Sequence, residues 1–166
     1  MKVRQPKYPD EIRFSVYGHA IPKARARVVS KRKDKKTGKL KELDKPHSFT
    51  PTTTVEWEAS IYGQSLASKP PRPWDGGVAL GVLFFKRIPK NKQSKFHKSE
   101  GKLRPVSARD DLDNLIKALK DALNGIYWLD DGQVVEYTDI DGIQTGKYFS
   151  DTPRVEVRVV FLRDPA

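Results

Sequence analysis

Cysteine is absent from the 166 residues, which excludes disulfides and thiolate metal sites and suits a reducing compartment. No apolar run approaches the roughly 18 residues of a membrane-spanning helix. The start, Met1-Lys2-Val3-Arg4-Gln5-Pro6, has no signal-peptide core, so the sequence reads as cytoplasmic. There is no Gly-rich phosphate loop of the Walker type. The three histidines, His19, His47 and His97, stand apart with no metal-ligand spacing. Carboxylates are in deficit, since 21 acidic against 32 basic side chains leave a formal charge of +11. Such a field draws polyanions, nucleic acid first among them. A membrane surface as partner would need a basic amphipathic helix, and most lysines lie in loop-like stretches instead.

What is present suits one domain over residues 1–166 with a single core. Apolar content is 37%, and seven Phe, six Tyr and three Trp make that core feasible. Ile12 to Gly18 alternates apolar and polar residues and predicts a strand. A basic tract from Lys23 to Lys45 has few apolar residues after Val29. It reads as a loop that is mobile without its partner, either a solvated surface or a flexible phosphate-binding arm. A helix is predicted from Thr50, with Thr50 as cap, Pro51 in the first helical position and Val55, Ile61, Tyr62 and Leu66 as its buried stripe. Pro70, Pro71 and Pro73 end it. Gly77 to Phe85 is apolar and short, as a buried central strand would be. Lys86 to Arg104 is a second basic segment, with Phe96 and His97 among its lysines. Val134 to Ile140 alternates, Asp141-Gly142 marks a turn, and Ile143 to Tyr148 is a weak continuation interrupted by glycine. Arg154 to Leu162 is the clearest amphipathic strand. The order implies an α+β fold, a mixed sheet of about four strands with two packed helices, and mobile basic loops near 23–48 and 86–105. The expected DNA-binding cations are Lys23, Arg25, Arg27, Lys31, Arg32, Lys33, Lys90, Lys92 and Lys95.

The stretch from Arg109 to Asp131 carries the chemistry. Leu112, Leu115, Ile116, Leu119, Ala122 and Leu123 recur at helical steps and define a buried face. Asp111 is placed to cap the helix, and Asn124-Gly125 to close it. Each aspartate has a plain structural use. Asp111 and Asp113 suit a helix start, Lys117 can pair with Asp113 four residues earlier, and Asp130-Asp131-Gly132 can be a turn. Together they allow a different use. A dozen helical residues carry the chain roughly 18 Å, and an extended Ile126–Leu129 covers about 13 Å on the way back. Asp131 would then meet Asp111 and Asp113 at the helix start. Three carboxylates without cysteine or histidine make a hard oxygen site suited to Mg²⁺, with Mn²⁺ as a substitute. Lys117, one turn on, would orient a phosphate there.

The run Asp111-x-Asp113-Asn114-x-x-Lys117, then Asp121-Ala122-Leu123, then Trp128-Leu129-Asp130-Asp131-x-Gln133-Val134, resembles the RusA family of Holliday junction resolvases. Gly18, Ile21-Pro22-Lys23 and the arginines that follow are similar to that family's first strand and substrate loop. The resemblance implies a RusA-like fold and a Mg²⁺-dependent homodimer that nicks four-way DNA junctions symmetrically, in a bacterial or phage setting. It implies Asp111, Asp113 and Asp131 as metal ligands and Lys117 as the essential lysine, with Asp130 a weaker candidate. Neither a membrane nor a small-molecule cofactor is implied. The chain departs from the family in long basic insertions at 30–45 and 88–104. Two readings stand on the residues: a structure-selective endonuclease for branched DNA, or a non-catalytic basic nucleic-acid-binding protein.

Overall fold

The computed structural model describes residues 7–24, 27–93, 106 and 110–163. In chain order the elements are β1 (Glu11–Tyr17), β2 (Arg27–Lys33), β3 (Leu40–Phe49), α1 (Thr52–Ser65), β4 (Val78–Arg87), α2 (Leu112–Leu123), β5 (Val134–Tyr137), β6 (Gly146–Ser150) and β7 (Arg154–Phe161). Strands β1, β7 and β4 lie side by side and antiparallel. The far edge of β4 takes two parallel partners in succession, β5 along Val78–Leu80 and β6 along Leu83–Arg87. Thr145 bridges the break between them, accepting from the Val82 amide at 3.0 Å and donating to the Thr138 carbonyl at 2.7 Å. The mixed sheet therefore has five strands, one more than the glycine-interrupted pattern after Asp141 predicts.

Period-two patterning fixes which face is covered. Val155, Val157, Val159 and Phe161 of β7 join Val78, Leu80, Val82 and Phe84 of β4 beneath both helices. The reverse face of β4 is covered at Leu83 and Phe85 by Ile140, Ile143 and Tyr148. Gly81 permits the close crossing, because a Cβ there would meet the Asp139 carbonyl at 3.1 Å and Ile140 at 3.0 Å. The reverse face of β1 and β7 is ionic, with Arg158 on Glu11 at 2.7 Å and Arg13 on Asp141 at 2.8 Å.

Three expectations change. Helix α1 starts at Thr52 with Pro51 as N-cap, and no side chain among the described residues caps it. Its buried stripe is Thr54, Trp57, Ile61 and Ser65, while Val55 and Tyr62 are 51% and 49% exposed. Trp57 and Ile61 present the larger apolar area, and the small Thr54 and Ser65 let the helix close down on the sheet. The tract expected as a loop contains the β2–β3 hairpin. Lastly, residues 126–129 form a tight turn and not an extended return. The Tyr127 amide bonds the Leu123 carbonyl, the Gly125 amide bonds that of Trp128, and Gly125 has φ +76°. Tyr127 and Trp128 are fully buried there.

Candidate active site

Helix α2 is set on the sheet by Leu115, Ile116, Ala118, Leu119 and Leu123, the face its sequence predicts except that Ala118 is added and Leu112 and Ala122 are only half-buried. Asp111 is its N-cap, with Oδ1 accepting from the Asp113 amide and Oδ2 from Asn114 Nδ2, both at 3.3 Å. The residue before it is held from two strands. Lys86 of β4 forms an ion pair with the Asp110 carboxylate, and Lys147 of β6 donates to the Asp110 carbonyl at 2.6 Å. On the helix's other flank the Lys23 amide bonds the Asn114 carbonyl at 2.8 Å. The helix start is thus fixed by three separate segments.

Strands β4 and β5 are parallel, so α2, which connects them, runs antiparallel to β5. That polarity decides where the second aspartate pair comes to lie. Residues just before β5 face the C-terminal half of α2, and the end of β5 faces its start. The result is an open cleft of about 200 Å³ lined by Asp113, Ile116, Lys117, Lys120, Asp131 and Tyr137. Asp131 Oδ2 lies 3.8 Å from Lys120 Nζ, and Lys120 is roughly 10 Å along the helix from Asp113. Asp131 therefore faces α2 across the same cleft as Asp113, and it is carried there by the tight turn after Asn124 and not by an extended return.

Asp113, Lys117 and Asp131 are thus brought into one cleft, while Asp111 does not line it. Among the described residues, no three carboxylates or histidines are placed to hold an ion between them. The donors that face the cleft are carboxylate oxygens without imidazole or thiolate. Two such ligands suit Mg²⁺, which is bound through one or two carboxylates and keeps several waters. Burial, together with the charge of Asp113, raises the Tyr137 pKa above its ordinary value, so the phenol stays a proton donor at neutral pH.

Asp130 is separated from Asp131 by its partners. Its Oδ1 accepts from the Gly132 amide at 2.8 Å, and it forms a capping box with Gln133 around the short helical turn Asp131–Gln133. Lys120 and Tyr137 are cleft residues that the sequence reading omits. Lys120 was accessible to it, lying seven residues after Asp113 and so on the same helical face.

The basic residues separate into groups. Lys23 forms ion pairs with Glu58 at 2.6 Å and Asp121 at 2.9 Å, joining the two helices. Burial opposes its charge, but the two carboxylates outweigh burial and hold its pKa above the ordinary value. Its charge is thus engaged inside the fold, unlike that of an open phosphate-binding lysine. Lys31, Arg32 and Lys33 lie on β2, which Arg27 opens. Lys90 and Lys92 lie on a short turn after β4, Lys92 Nζ standing 5.8 Å from the centre of the Phe149 ring. Arg25, Lys95, Phe96 and His97 lie outside the described residues.

The family model described as Endodeoxyribonuclease RusA matches residues 18–160. A relative from Bacillus subtilis (strain 168), named "Uncharacterized protein YqaN", is 30% identical over 154 residues, covering 90% of this chain and 96% of its own. The family match takes in both helices, the central strands and every residue of the cleft, and the chain belongs to the RusA endodeoxyribonuclease family.

Proposed function

We propose that the protein is a Mg²⁺-dependent endodeoxyribonuclease that resolves Holliday junctions by paired symmetrical nicks. In this reading it acts as a homodimer in a bacterial or phage-infected cytoplasm. The observation that carries the reading is the cleft in which Asp113 and Asp131 face Lys117 and Lys120, in a chain of this family. Asp113 and Asp131 hold the ion, and Asp111 joins them by giving up its hold on the Asp113 amide. Bound there, a divalent ion supplies a Lewis acid for a phosphate oxygen and lowers the pKa of a water. Lys117 forms no ion pair among the described residues, which leaves its ammonium to orient the scissile phosphate and to meet charge developing on it. Lys120 balances Asp131, so the cleft does not repel the DNA backbone outright. Lys31, Arg32, Lys33, Lys90 and Lys92 bind backbone phosphates outside the cleft, as do Arg25, Arg27 and Lys95 in this reading. A two-fold dimer presents one cleft to each of two strands. No helix among the described residues is long and apolar enough to cross a membrane.

The test is a synthetic four-way junction incubated with Mg²⁺ or EDTA, beside Asp113→Asn and Lys117→Met variants. Wild type should give paired nicks only with metal. Each variant should lose cutting by about a hundredfold or more while binding the junction within a few-fold of wild type. Absence of cutting by wild type across several junction sequences, with both Mg²⁺ and Mn²⁺, would favour a non-catalytic DNA-binding protein.

A further inference from the structure

The β2–β3 hairpin stands apart from the rest of the fold. Its strands pair with each other and with no strand of the main sheet. Val28 and Leu40 are 68% and 71% exposed, so the body does not cover it. An isolated two-stranded hairpin is marginally stable in water, and this one carries a further burden at its outer half. From Lys31 to Glu42 there are seven basic residues against two acidic ones, a local excess of five positive charges. Both acids are already engaged. Asp34 Oδ1 accepts from the Lys36 and Thr37 amides at 2.8 Å and shapes the tip, and Glu42 lies 3.8 Å from Lys31.

Register shows how this charge is aimed. Lys31 pairs with Glu42, Arg32 with Lys41 and Lys33 with Leu40. Successive pairs alternate between the two faces, so Arg32 and Lys41 share one face, and Lys31, Glu42, Lys33 and Leu40 the other. Like charges directly opposite one another destabilise an antiparallel pair. The Arg32/Lys41 face is therefore costly in the free protein and relieved by a polyanion. The opposite face carries Glu42, a carboxylate that DNA would repel. In size, seven residues of β2 span roughly 23 Å and the strands lie about 5 Å apart. The DNA major groove, about 12 Å wide, admits such a ribbon, whereas the minor groove, about 6 Å wide, does not.

We propose that the β2–β3 ribbon lies in the major groove of a duplex arm of the substrate, with Arg32 and Lys41 toward the DNA, Lys31 and Lys33 reaching round from the outer face to phosphates at the groove rim, and Glu42 turned away. This deepens the junction reading and rests on it for the kind of nucleic acid. No cleft-lining residue belongs to the ribbon, so arm binding and cutting are separable.

Binding to a linear duplex and to a four-way junction, both in EDTA, separates the two proposals. An Arg32→Gln/Lys41→Gln variant should bind the duplex about tenfold more weakly, and its log K against log salt slope should fall by about two. Glu42→Gln should bind within about twofold of wild type, because that side chain faces away. Duplex carrying glucosylated 5-hydroxymethylcytosine, which fills the major groove, should bind wild type as weakly as plain duplex binds the double variant. Distamycin in the minor groove should have little effect. Unchanged binding by the double variant overturns the proposal, as does a loss with distamycin but not with the glucosylated duplex. Marked tightening by Glu42→Gln overturns the assigned face. Wild type that binds duplex through the ribbon but cuts no junction in Mg²⁺ leaves the ribbon standing and removes the nuclease reading. Wild type that binds neither DNA overturns both.

Discussion

Gln133 does more for the site than its polarity suggests. Its Oε1 accepts from the Leu129 and Asp130 amides, both at 2.8 Å, while Nε2 donates to the carbonyls of Trp74 at 3.0 Å and Gly76 at 2.8 Å. One amide side chain thus satisfies four backbone groups and fixes the turn that carries Asp131. Gln133→Ala leaves all four without it, and urea unfolding should show a loss of about 1–3 kcal/mol. Junction cleavage should fall with it, and more than in Asp130→Ala, where a single acceptor is lost. Equal stability in wild type and Gln133→Ala would show that water replaces the amide at no cost. The aspartates were legible in the sequence because carboxylate clusters stand out in a basic chain. The task of Gln133 was not, since two of its partners lie more than fifty residues earlier.

At the scale of elements, α2 was legible to its end residues. A strong apolar period, a capping aspartate and an Asn-Gly stop agree, and the structure follows them from Leu112 to Leu123. Helix α1 was legible in position but not in rotation. Its apolar residues occur on more than one side, and only packing against α2 and β1 selects Trp57 and Ile61 for burial. That selection leaves Thr54 Oγ1 buried without a hydrogen-bond partner among the described residues. Thr54→Val, which removes the orphaned hydroxyl at nearly constant volume, should raise the melting temperature, by a gain on the order of 1 kcal/mol. Lowered stability on thermal unfolding would show that the hydroxyl is satisfied in solution. The ribbon was illegible for a physical reason as well. Charge hid the strands, because Lys and Arg alternate with one another and not with apolar residues. The path that brings Asp131 to the cleft was not legible, because it depends on a tight turn and on the parallel β4–β5 pairing, which no local pattern reports.

Across the whole molecule, acid is the condition to which the ionic face responds. A hydrogen bond from Arg158 holds the Glu11 pKa below its ordinary value, and the Gly142 amide does the same for Asp139, with the charge of Arg158 adding to it. A carboxylate depressed in the folded state contributes stability above its unfolded pKa, about 4. That contribution is lost as pH falls through the folded value. The melting temperature should therefore change little on this account above pH of about 5 and drop below pH of about 4. Arg158→Gln should shallow the drop, and an acid limb identical to wild type would exclude these pairs as its cause. The same sheet has a consequence for synthesis. Strand β7, which follows every other strand, lies between β1 and β4, so β1 has no strand partner and β4 lacks its antiparallel one until the ribosome has delivered it. The cleft, built on that sheet, is then assembled only after β7 has been delivered, and a nascent chain stalled before that point carries its basic charge on an unfinished sheet.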